Sequence, residues 1–60
     1  MNQLNQNELQ NLRHLISNHQ MVANKLNDYA QQCQDTTIKQ MFQQASQSAQ
    51  KNAQQLMTFL

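Results

Sequence analysis

The sequence predicts an all-α fold: an antiparallel helical hairpin that pairs with a second copy as a homodimer, completing a four-helix bundle. Three observations predict it. The 60 residues include no Gly and no Pro, so the usual breakers and turn residues are missing. Apolar and small residues recur at alternating spacings of three and four along two segments, which marks amphipathic helices. The stretch without that periodicity is QDTT, residues 34–37, room for one short turn and therefore for antiparallel neighbours.

The first helix is expected over about residues 6–33. Asn5 can accept from an early backbone amide while Glu8, three residues on, reaches back to form a capping box, and the Glu8 carboxylate suits the positive end of the helix. The inward seam reads Leu9, Leu12, Ile16, His19, Ala23, Leu26, Ala30 and Cys33. The turn falls at about 34–35 and the second helix at about 36–58, with Asp35 as its N-cap. Its seam reads Ile38, Phe42, Ala45, Ala49, Asn52, Leu56 and Phe59.

Folding the chain about Gln34 and Asp35 sets Cys33 opposite Ile38, Ala30 opposite Phe42, Leu26 opposite Ala45 and Ala23 opposite Ala49. Ile16 then meets Leu56 and Leu12 meets Phe59. Large faces small in most layers, as a dense core requires. The two polar members of the seams, His19 and Asn52, land in one layer. An amide can satisfy whichever imidazole nitrogen points inward, so the expectation is a buried polar pair that lowers stability somewhat while penalising wrong registers.

A second stripe on the first helix, Leu15, Val22 and Tyr29, lies one position before Ile16, Ala23 and Ala30, and Met41 and Ala53 widen the apolar arc of the second helix. So short a chain buries too small a share of its surface to be comfortably stable alone. The surplus arc is therefore expected to form the dimer face, through Leu15, Val22, Tyr29 and Met41.

Most of the polar surface is amide, from 14 Gln and 8 Asn. These fall between regularly spaced apolar residues instead of in unbroken runs, and Gln is a good helix former. The formal charge of +1, with no basic block and no aromatic interleaving, lacks the electrostatic footprint of a nucleic-acid binder and offers little to an anionic membrane. No apolar run reaches the length of a membrane span and no secretion signal is recognised. The expected location is thus inside the cell. The single cysteine can form neither an internal disulfide nor a cysteine-based metal cage.

No catalytic, cofactor-binding or metal-binding residue is expected, and no cofactor. Carboxylate-bridged metal sites in bundles need several Glu and a Glu-x-x-His pair, whereas this chain has one Glu, Glu8, about three turns from His19. His14 and His19, five apart, point in different directions around the helix and cannot chelate together. Cys33 lies about four turns from His19, with no oxyanion donor in view, and reads as a small apolar residue packing near Ile38.

The segment YAQQCQDTTIKQMFQQ, residues 29–44, resembles the short coat-F-like spore coat proteins of spore-forming Firmicutes. The features that carry the likeness are the pair Tyr29-Ala30 closing the first helix, Asp35 in the turn, and the run Ile38-Lys39-Gln40-Met41-Phe42 opening the second. The likeness extends from about Leu9 to Leu60. It implies a ferritin-like bundle of paired hairpins, a non-enzymatic structural or assembly role in the spore, location in the cytoplasm or the coat, and other spore coat proteins as partners. Relatives carry acidic residues near the place of His19 and a histidine at that of Asn52, a departure that counts against a metal role in this chain.

Two readings from other classes compete. ELQNLRHLI, residues 8–16, resembles the start of the small helical-hairpin phosphatases that act on sporulation response regulators, but the nearest counterpart of their catalytic motif, ASQSAQ at residues 45–50, has no acidic residue. The other is a generic intracellular adaptor whose amide face binds another protein.

Overall fold

The computed structural model describes residues 4–60, and these form two α-helices and no strand: α1, Gln6–Gln32, and α2, Thr36–Met57. The helices run antiparallel as a hairpin. Each start is fixed by a local device of the kind the sequence suggests. At α1, Asn5 Oδ1 accepts from the Glu8 amide at 2.7 Å and Glu8 Oε1 accepts from the Asn5 amide at 3.0 Å, satisfying two donors that the first turn would otherwise leave open. At α2, Asp35 Oδ1 accepts from the Ile38 amide at 3.0 Å.

The turn manages without glycine because it needs no left-handed residue. Cys33 (φ −76°, ψ 134°) and Asp35 (φ −73°, ψ 120°) are both extended, and no described residue has a positive φ. The Cys33 amide donates back to Tyr29 O and Ala30 O, at 3.1 and 3.2 Å. At the far end Thr58 Oγ1 donates to Gln55 O at 2.6 Å, closing the last turn of α2.

The seam of α1 is the expected one. Ile16, Ala23 and Ala30 are buried, and Leu9, Leu12, His19, Leu26 and Cys33 are half-buried. The seam of α2 differs from expectation. Phe42, Ala49 and Leu56 do point inward, but between them stand Ser46 and Ala53, with half-buried Lys39 nearest the turn, while Ile38, Ala45, Asn52 and Phe59 are exposed. Trading these members while keeping Phe42, Ala49 and Leu56 inward corresponds to turning the helix by about 50–60°, roughly half of the 100° that separates successive residues.

Contact chemistry explains the choice. Ser46 is buried and its hydroxyl donates to Ala23 O at 2.7 Å, using the lone pair left free by the helical hydrogen bond. With Ala23, Ala30, Ala49 and Ala53 alongside, the seam is built of small side chains, which lets the two backbones approach closely. The same bond sets the register: Ala23 lies level with Ser46, three positions before the expected Ala49.

The result is a flat body. Its principal extents are 46 × 16 × 9 Å and its radius of gyration is 14.3 Å, against about 10 Å for a compact domain of this length. No large side chain among the described residues is fully buried.

Candidate interaction face

The hairpin has two broad faces, one on either side of the seam. On one, Gln20 and Asn24 of α1 and Gln50, Gln54, Ala53 and Met57 of α2 line a shallow open groove of about 360 Å³. The helical repeat continues this side through Asn27 and Gln31 on α1 and Gln43 on α2. It is an amide face with one cation, exposed Arg13, a heptad before Gln20, and none of these amide side chains forms a hydrogen bond within the described residues.

The other face carries the apolar surplus. Leu15, Val22 and Tyr29 lie on the flank of the α1 seam opposite Gln20 and Asn24, and Ile38 and Met41 lie on the flank of the α2 seam opposite Gln50 and Gln54, so both sets look the same way. All are open to solvent, Tyr29 at 51 % and Met41 at 63 % of full exposure. The four residues expected to form a dimer face thus share one side of the folded hairpin. Ile38 joins them, a residue that periodicity had assigned to the interior. The Tyr29 ring is held in place by Phe42, with centroids 5.9 Å apart and planes tilted by 55°, a favourable aromatic arrangement.

His19 and Asn52 are not brought together as a buried layer within the hairpin. Asn52 is exposed on α2, because Ala53 takes the inward position beside it. His19 is half-buried and finds its partner on its own helix: Nδ1 lies 2.8 Å from Leu15 O. A carbonyl only accepts, so Nδ1 carries the proton, and in the neutral ring Nε2 is then the acceptor. Leu15, Asn18, His19 and Val22 surround a small open hollow of about 170 Å³ on the apolar face.

Ser46 is the seam contact that positions the two faces and that sequence reasoning missed. Its signal was present in the adjacent pair Ala45-Ser46, two small residues of which either can sit at a close helix crossing, but hydropathy alone favours the alanine.

Among the described residues, no three His, Cys, Asp or Glu side chains are grouped so as to hold a metal ion, and no helix is long and apolar enough to cross a membrane. His14 is exposed, and the Cys33 thiol is free and half-buried beside the turn. Comparison of the chain with protein-family models, with curated proteins and with solved structures finds no significant match in any of the three.

Proposed function

We propose that the chain is a non-enzymatic structural or assembly protein of the spore coat type, which acts by pairing with itself into a four-helix bundle. The observation that carries this reading is the apolar face left open by the closed hairpin, with Leu15, Val22, Tyr29, Ile38 and Met41 all exposed on one side. A compact chain of 7.0 kDa would expose about 4,000 Å², whereas this one exposes 4896 Å². The excess is of the same order as the roughly 800 Å² that each partner contributes to a stable interface. Stacking two such faces buries the surplus in the way a bundle buries its core.

The assignment to the spore coat rests on the likeness of residues 29–44 to the coat-F-like proteins, as do the ferritin-like description of the bundle and the expectation that other coat proteins are partners. The flat, charge-poor body with one adhesive side suits a building block better than a catalyst. Two measurements test the reading. Sedimentation at micromolar concentration is expected to give twice the chain mass, and a concentration-independent, cooperatively melting monomer would refute self-pairing. A fluorescent fusion followed through sporulation is expected to concentrate on the developing spore. A diffuse cytoplasmic signal would favour a generic adaptor working through the amide face.

A further inference from the structure

The hollow on the apolar face has the outline of a socket. Its lining, Leu15, Asn18, His19 and Val22, occupies positions i, i+3, i+4 and i+7 of one helix, the four corners of the hole that receives a knob in helix–helix packing. Its size suits a single side chain. Two corners are aliphatic, and the other two offer an amide and an imidazole. With Nδ1 committed to Leu15 O, the neutral imidazole presents Nε2 as an acceptor without a partner among the described residues. The matching knob is therefore apolar for most of its length and ends in a donor.

One exposed side chain on this face has that chemistry. Tyr29 is half-exposed, its ring is braced by Phe42, and its hydroxyl has no hydrogen-bond partner among the described residues. It stands one heptad beyond Val22 on the same stripe. We propose that the socket of each chain receives Tyr29 of a second copy, the ring seated between Leu15 and Val22 and the hydroxyl donating to His19 Nε2. This rests on the self-pairing reading above and adds to it the partner residue and the orientation.

The orientation follows from the spacing. Tyr29 of one copy sits between residues 15 and 22 of the other only if the two α1 helices cross antiparallel, about a two-fold axis at the level of Asn24. The stripes then interleave, with Val22 of each copy seated between Val22 and Tyr29 of its partner. Because Ala23 lies level with Ser46, the axis passes α2 near Ala45, a small exposed residue that permits close approach. Hairpins arranged in this way have their turns at opposite ends of the bundle.

The test uses the full chain with Cys33→Ser and Gln34→Cys, spin-labelled in the turn. Ten residues from the axis on each side places the two labelled positions roughly 30 Å apart along the bundle, at 1.5 Å per residue. Turns at the same end would bring them within about 15 Å, given interhelix spacings of 8–10 Å. Alongside, sedimentation of the unlabelled chain measures the dimer constant for Tyr29→Phe, which keeps the ring, for His19→Leu, and for both together. Tyr29→Phe is expected to weaken the dimer about 5- to 100-fold, the effect of two neutral hydrogen bonds, one in each symmetry-related socket, and to have no further effect when His19 is already Leu. A short label distance overturns the orientation. A long distance with no effect of Tyr29→Phe, or with additive effects, overturns the socket. A monomer throughout overturns the self-pairing reading itself.

Discussion

The two faces of the hairpin are made from the same two helices and differ in almost every property that governs association. One presents Leu15, Val22, Tyr29, Ile38 and Met41, and the other presents Gln20, Asn24, Gln50 and Gln54 around the exposed side chain of Met57. Neither face carries much charge, so electrostatics does not separate them. What does is hydration: an exposed amide hydrogen-bonds water at little cost, whereas each half-exposed aliphatic side chain forgoes roughly half of the about 1.5–3 kcal/mol that full burial yields. A flat body 9 Å thick cannot hide one face behind the other, so the difference between them is fully available to a partner.

The sharpest way to break the comparison is to place the same charge on each face. Val22→Asp is expected to abolish dimerisation, raising the dissociation constant more than about 100-fold, because the carboxylate would have to be desolvated at the apolar contact, a cost that exposed Lys25, three residues on, does not offset. Gln50→Asp, on the amide face, is expected to leave sedimentation unchanged. Equal effects would mean that the two faces are not functionally distinct.

Next in size are substitutions in the seam that holds the faces apart. Ala53 is 1 % exposed, and Ala53→Leu would push α2 off α1, an overpacking cost of about 1–3 kcal/mol read as a lowered denaturation midpoint. Gln54→Leu, next to it on the open amide face, is expected to change stability by less than about 0.5 kcal/mol. Ser46→Ala should follow at about 1 kcal/mol, since Ala23 O keeps its helical bond and only the Ser46 hydroxyl contact is lost.

How much of this was legible in the sequence differs between the helices. For α1, one stripe is distinctly more apolar and smaller than its neighbours, and the residues from Leu9 to Cys33 lie where the spacing puts them. Capping was legible too, at Asn5 with Glu8 and at Asp35, because it depends on neighbours three residues apart. For α2, two stripes share Phe42, Ala49 and Leu56 and differ by one position elsewhere: Ile38, Ala45 and Asn52 against Lys39, Ser46 and Ala53. Each has polar members, and hydropathy does not rank them. The decision belongs to the partner helix, whose alanines reward close approach and whose Ala23 carbonyl accepts the Ser46 hydroxyl, and information of that kind is not local. The same rotation that took Asn52 out of the interior carried Ile38 onto the open face and enlarged it.

The smallest expected effect tests that rotation directly. Asn52 is exposed on α2 and its side chain makes no hydrogen bond within the described residues, so Asn52→Ala should change the unfolding free energy by no more than about 0.5 kcal/mol, in either direction, with helix propensity the main contribution. The neighbouring Ala53→Leu, one residue away, is expected to cost several times as much. His19 bonds its own helix at Leu15 O and not Asn52, so combining His19→Leu with Asn52→Ala in a urea titration should give additive changes within about 0.3–0.5 kcal/mol. Coupling of 1 kcal/mol or more between these two positions would mean that their side chains meet after all, and that α2 turns Asn52 toward α1 in solution.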